Sequence, residues 1–306
     1  MKRSTRLRRL DPDLQGPIVL DTDAANEIDD QFAIVYALLS DLPLQAIYAA
    51  PFHNTRSDGP ADGMKQSYAE INTVLDQLEH SAVPSFEGSD VFLSGTDEPV
   101  ASPAVEDLIT RARSSEDPLH VVVIGTPTNV ASAILSAPDI IENIVVIWVG
   151  GHPHSWVTAA DFNLKQDPDA TRVLFDSGVP LIQIPAKNVS EHLVTTLPEL
   201  RQYVRGCGSI GTYLYDLVVK YQRRIDGCDG SIGWGKELWD VATIAYLIEP
   251  KWVPTSVVHT PELTTDLTWN HNPDRHFMRV ATDVHRNAIF RDLFELLQTN
   301  AAAGNR

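Results

Sequence analysis

"PIVLDTDAANEIDDQFAIVYALL" (17–39) joins an apolar run to a knot of acids and then to a second apolar run. "PIVLDT" (17–22) reads as a buried strand, and "DDQFAIVYALLS" (29–40) as the helix that follows it. Between them Asp21, Asp23, Glu27, Asp29 and Asp30 fall within ten residues. Carboxylates so crowded repel one another, and burying them is costly unless something compensates. A hard cation, which prefers oxygen ligands, supplies that compensation. The stretch therefore predicts a strand–helix unit with a cation at its junction.

The same alternation continues outward. "LQAIYAA" (44–50), "LHVVVIG" (119–125), "NIVVIWVGG" (143–151) and "VPLIQIP" (179–185) are near-continuous apolar runs of strand length. Helical spacing follows in "GMKQSYAEINTVLDQL" (63–78), "TNVASAILSA" (128–137) and "DPDATRVLFDSG" (167–178), the last opened by Pro168 and closed by Gly178. Strands apolar on both faces, alternating with helices, indicate a parallel sheet covered on both sides. Residues 190–248 read as mostly helical, with a glycine-rich break at 226–235. "KWVPTSVVHT" and "HFMRVATDV" then read as a strand pair joined by a polar loop, and "RNAIFRDLFELLQ" (286–298) as a terminal helix. The expectation is a single α/β domain over 17–300, with a mostly parallel central sheet flanked by helices. Residues 1–16 are expected to form a basic, solvated arm.

Composition narrows the function classes. A net charge of −17 argues against a nucleic-acid backbone as partner, which requires a positive face. No apolar run is long enough to span a bilayer, and "MKRSTRLRRL" lacks the apolar segment of a secretory signal. Cys207 and Cys228 form no CxxC pair, so structural zinc and a disulfide framework are not expected, and reduced thiols in a cytoplasm fit better.

In an open parallel sheet, ligands bind beyond the carboxyl ends of the strands. The polar residues at those ends are Asp21, Asp23, Asp29 and Asp30; His53 and Asn54; "TPTN" (126–129); and "HPHSWVTAADFN" (152–163). Asp240 opens a later helical pattern in "KELWDVATIAYL". Each has an ordinary structural explanation. Asn26, Asp29 and Asp240 would be helix-terminal groups, Thr126 a cap before Pro127, and Asn163 a turn former. Ordinary explanations taken together must still account for a polar group at every strand end.

These residues also carry a resemblance. "IVLDTDAANEIDDQFAIVYAL" resembles the opening signature DTDPGxDDxxAL of the inosine–uridine preferring nucleoside hydrolase family. "IGTPTNVASAI" resembles its GPLTN segment, "DFNLKQDPDATRVLF" its (E/D)FNxxxDPEAAxxVF segment, and "LWDVATIAYL" stands where an HDPxA-type motif occurs. The resemblance implies Ca²⁺-dependent hydrolysis of the N-glycosidic bond of a ribonucleoside or related N-riboside, through an oxocarbenium-like transition state. It implies that Asp23, Asp30, Asp240 and the carbonyl of Thr128 hold the ion, with Asp23 also taking the proton of the attacking water. It implies that Asp29, Asn54, Asp161 and Asn163 meet the sugar hydroxyls. The partner is then a small-molecule nucleoside, and a homo-oligomer is compatible.

Three departures stand out. Five residues (24–28) separate Asp23 from the acidic pair where the family form has three, so Asn26 or Glu27 gains a chance to enter the site. Asp161 replaces the commoner glutamate. Trp239 stands where many members carry a histidine that protonates the departing purine. An indole N–H donates a hydrogen bond but is no acid near neutrality, although its face can stack on a base. His53, His152 and His154 are the nearest alternative contacts for the leaving group by strand-end position. Two rival readings fit parts of the same pattern. One is a haloacid-dehalogenase-like phosphatase with Asp21 as nucleophile, Asp23 as acid and Thr126 and Lys187 in support. The other is a non-catalytic nucleoside- or sugar-binding protein that keeps the metal pocket.

Overall fold

The computed structural model describes residues 10, 16–78, 82–226 and 232–304. In chain order the strands are β1 (Ile18–Thr22), β2 (Leu44–Ala49), β3 (Ser85–Glu87), β4 (Leu119–Val123), β5 (Ile144–Val149), β6 (Leu181–Ile184), β7 (Val194–Thr196), β8 (Gly235–Glu237), β9 (Thr255–His259), β10 (Glu262–Leu263), β11 (Trp269–Asn270) and β12 (Phe277–Ala281). One sheet of eight runs β3-β2-β1-β4-β5-β6-β12-β9, while β7–β8 and β10–β11 form two small pairs. Every pairing in the large sheet is parallel except β12–β9. This is the mostly parallel α/β domain that the alternation predicts. The expected C-terminal strand pair is β9 with β12, and the polar loop between them carries the β10–β11 hairpin.

Both faces of the sheet are apolar, as a helix-covered sheet requires. Along β1, Ile18 and Leu20 enter one core and Val19 the other. Along β4, Val122 joins the first core while Val121 and Val123 join the second. The helix Asp30–Leu39 lies in the first core with residues 30–38 all buried, packed by the helices Val241–Ile248 and Arg286–Gly304. A helix buried all round is apolar all round, which is why it shows little amphipathic pattern. Its one polar tie on the far side runs from Tyr36 Oη to Asp292, at 2.6 Å.

The helix predicted over 63–78 begins earlier, at Pro60, and the helix over 167–178 runs Pro168–Asp176 with Asp167 as its cap and Gly178 at φ +75°. The edge strand β3 and the helix Pro103–Ser114 were not marked in the sequence. Of the predicted arm, only Leu10 and Gly16 are among the described residues; Leu10 is buried, and its carbonyl accepts from the Arg279 guanidinium. The glycine-rich break at 226–235 and Cys228 lie largely or wholly outside the described residues, and Cys207 is a buried free thiol. Among the described residues no helix is long and apolar enough to cross a membrane.

Sheet order fixes where a ligand can enter. From β1 the chain moves outward to β2 and β3, then returns to β4 on the other side of β1. The crossover helices on the two sides of that reversal diverge and leave a crevice beyond the carboxyl ends of β1 and β4. Asp21, paired with Val123 of β4 and Tyr48 of β2, stands one residue before the carboxyl end of β1.

Candidate active site

At the crevice a cavity of about 300 Å³ is walled by residues of the sequence motifs, among them Asp23, Asp29, Asp30, Asp161, Asn163 and Asp240. Thr22, the last residue of β1, donates from its hydroxyl to Asp30 Oδ1 at 2.5 Å, tying strand end to helix start. The five-residue spacer turns back through Asn26 N–H to the Asp23 carbonyl at 2.7 Å. Gln31 fixes the other side of the spacer by donating to the Ala24 carbonyl at 2.6 Å. The two added residues thus make a turn whose polar members, Asn26 and Glu27, face the cavity.

Ligand oxygens of Asp29, Asp30 and Asp240 lie within 4.8 Å of one another, and all three residues are buried. Asp23 is buried beside them, and its Oδ2 has no hydrogen-bond partner among the described residues. Burial, then the charges of Asp30 and Asp29, push the Asp23 carboxyl well above the usual carboxylate range. Burial and Asp29 push Asp30 up to about 8 against the pull of Thr22. Asp240 is raised by burial and by Asp29, Asp30 and Asp23 in turn. Asp29 is raised by burial, with the ammonium of Lys236 opposing. Four carboxyls buried side by side, each shifted upward chiefly by burial, are a donor set that a cation would relieve. The orphaned Asp23 oxygen points the same way, so these residues fit a hard divalent ion.

Neither Asp29 nor Asp240 spends its side chain on capping the helix it precedes. Thr126 is likewise no cap: its hydroxyl is buried without a partner, and Pro127 precedes the helix Thr128–Ser136. Asn26 does not cap either, because its Oδ1 accepts from Asn54 Nδ2 at 2.8 Å and Arg56 Nη2 at 3.2 Å.

Other motif residues hold the acids rather than join them. Asn129 donates to Asp21 Oδ1 at 2.9 Å and accepts from the Ser89 N–H at 2.8 Å, tying its helix to the end of β1 and to the loop after β3. Asp167 accepts from the Thr128 hydroxyl at 2.8 Å and the Leu93 N–H at 2.9 Å. Asp161 Oδ1 takes the N–H groups of Gly151 at 2.8 Å and Leu164 at 3.0 Å, capping the helix Phe162–Gln166. Burial lifts Asp161 to about 6 although those N–H groups pull it down. Asn163 donates to the carbonyls of Ile124 and Val149, both at 3.0 Å, so its own Oδ1 is left for the cavity.

The remaining predicted residues divide. Trp239 and His152 line the cavity. Thr128 is fully buried and off the cavity wall, and Asn54 stands behind Asn26. His53 is exposed and 3.4 Å from Ser57 Oγ, not on the cavity wall. His154 bonds Gln183 Oε1 at 2.7 Å and belongs to a second cavity of about 700 Å³ beside β12 and β9. Asp21 is turned to Asn129 and does not line the site, so it cannot serve as the nucleophile of the phosphatase reading. Burial raises it to about 7.

Sequence reading missed Lys236 and underused Lys187. Lys236, on β8, is 4% exposed and pairs with Glu27 at 2.6 Å. Lys187, just past β6, lines the cavity with its ammonium 4.8 Å from the centre of the Trp239 ring. Neither lysine sits in a motif, and only Lys187, just past β6, follows a strand predicted from the sequence.

Comparison with known proteins gives one family. The sequence model of the inosine-uridine preferring nucleoside hydrolases matches residues 18–291. The chain is 28% identical over 264 residues to the pyrimidine-specific ribonucleoside hydrolase RihA of Escherichia coli O1:K1, covering 77% of this chain and 80% of that protein. The fold is similar to that of the purine-preferring ribonucleoside hydrolase from Gardnerella vaginalis, with TM-score 0.73 at 22% identity over 94% of this chain and 99% of the other. It is also similar to the type III effector protein XopQ complexed with adenosine diphosphate ribose, with TM-score 0.67 at 18% identity over 98% and 99%.

Proposed function

This chain belongs to the inosine-uridine preferring nucleoside hydrolase family and is an N-glycosyl hydrolase acting on small ribosides, and from that premise we propose a specific division of labour at the crevice. The substrate is a ribonucleoside or closely related N-riboside, and the resident ion is Ca²⁺. The observation that carries this reading is the buried carboxylate group of Asp23, Asp29, Asp30 and Asp240 beyond β1, with one Asp23 oxygen unbonded.

Asp30, Asp240 and the carbonyl of Thr128 hold the ion together with Asp23. When bound, such an ion neutralises the carboxylates, offers sites to vicinal hydroxyls and acidifies a water at neutral pH. Asp23 orients the attacking water and takes its proton, through the oxygen that has no hydrogen-bond partner among the described residues. Asp29, Asp161 and Asn163 grip the sugar hydroxyls. The anchoring of Asp161 and Asn163 to strand-end backbone supports that role, since each keeps one oxygen for the ligand. Asn54 acts through Asn26. The ring of anionic oxygens favours the positive charge that develops on the sugar as the C1′–N bond stretches.

The test is a panel of purine, pyrimidine and modified nucleosides, scored for free base and reducing sugar, with Ca²⁺ supplied or chelated. Ribosides are expected to outpace 2′-deoxyribosides by a large factor, because a site built to bind a hydroxyl rejects the analogue lacking it. Equal rates on both, or turnover indifferent to chelation, would sink the assignment.

A further inference from the structure

We propose that Lys187 is the proton donor to the departing base, held for that task on the face of Trp239; this inference rests on the hydrolase reading of the same cavity. Bond cleavage leaves the C1′–N electron pair on the base, and a poor leaving group needs a proton there. Asp23 and its neighbours are committed to the water and the sugar. Among the described residues, the ring and ammonium nitrogens on the cavity wall are those of His152, Lys165, Lys187 and the Trp239 indole; the amides of Asn26 and Asn163 are no acids. The indole N–H is not acidic enough. Burial, then the nearby charges of Lys187 and Lys165, disfavour the protonated form of His152. Lys165 lies in the helix Phe162–Gln166, whose cap and second residue, Asp161 and Asn163, face the sugar end.

Lys187 enters from elsewhere, the loop after β6, and its ammonium rests 4.8 Å from the Trp239 ring centre and 3.2 Å from Glu191 Oε2. Trp239 directly precedes Asp240, so the ring that carries the ammonium is joined to a member of the acid cluster by one peptide bond. Neither contact is a buried, bidentate pair: the side chains of Lys187 and Glu191 are 38% and 26% exposed. A ring face and a partly exposed carboxylate position the long side chain while leaving it free to turn inward. In the balanced step water adds its oxygen to C1′, Asp23 takes one proton, Lys187 gives one to the base nitrogen, and the two groups re-equilibrate through solvent after release.

A leaving-group comparison decides the matter. kcat/KM is measured for inosine, uridine and p-nitrophenyl riboside with wild type, K187M and K187R, beside their melting curves. p-Nitrophenolate leaves without protonation. K187M is therefore expected to lose about 100-fold on the nucleosides, the size of a general-acid loss, and no more than about threefold on the p-nitrophenyl substrate. K187R keeps the charge over Trp239 and controls for packing. Equal loss on all three substrates, in both variants, or no loss on any, overturns the assignment of Lys187. A wild-type protein that releases base from no riboside removes the hydrolase reading instead.

Discussion

The two roles proposed for Asp23, ion ligand and proton acceptor, can be separated by one substitution. Asp23→Asn retains an oxygen for the ion but cannot accept a proton, so kcat is expected to fall by about 10²-fold or more. KM and bound Ca²⁺ are expected to change little, measured by steady-state kinetics and elemental analysis. A parallel loss of metal would make Asp23 a ligand only. Individual residues were legible where a motif fixed both type and spacing: Asp23, Asp29, Asp30, Asp161, Asn163 and Asp240 all face one cavity. They were illegible where a contact depends on distant segments meeting. Nothing local to Glu27 announces Lys236, 209 positions later, and nothing local to Lys187 announces Trp239. His53 and His154 sit at the expected strand ends, but side-chain direction there is set by Ser57 and Gln183, which the sequence cannot rank.

Strands were legible where burial makes them apolar on both faces. The five central strands showed as apolar runs because both of their faces are buried, and the edge strand β3, three residues long and only half covered, carried no such signal. The helix Pro103–Ser114 did carry one, Ser102 accepting from Val105 N–H at 3.3 Å with Pro103 behind it, and it went unused. Helix placement against the site is also testable. In the first turn of the helix Pro60–Gln77, a Cβ on Gly63 would lie 1.9 Å from the Phe52 carbonyl oxygen. Alanine at an exposed helical position would gain about 1 kcal/mol over glycine, but here the clash decides the sign. Overpacking of this kind costs about 1–3 kcal/mol. Gly63→Ala is thus expected to lower the melting temperature and, by displacing the loop after β2 that carries Asn54 against Asn26, to raise KM for ribosides. Calorimetry and kinetics on the same preparation check both.

At the scale of the whole molecule, the acid cluster makes stability a function of pH and of the ion together. In the metal-free protein the folded-state values of Asp23, Asp30 and Asp240 lie above 3.8, the ordinary value they resume on unfolding. The native state therefore binds more protons than the unfolded one as pH rises from 3.8 through about 8, where Asp30 titrates. Stability from these groups is complete at the acid end and is lost across that window. Without Ca²⁺ the melting temperature is expected to fall between pH 5 and pH 8. With Ca²⁺ the ionised form is favoured in the fold, so the fall is expected to vanish or reverse. At pH 7.5 a free ion concentration 100 times Kd adds about 2.7 kcal/mol. Asp240→Asn discriminates repulsion from any other cause. Removing one of the mutually repelling charges is expected to raise the metal-free melting temperature at pH 7.5 while abolishing the response to Ca²⁺ and the turnover. A variant that melts lower without the ion and still gains stability from it would show that Asp240 neither repels its neighbours nor holds the cation.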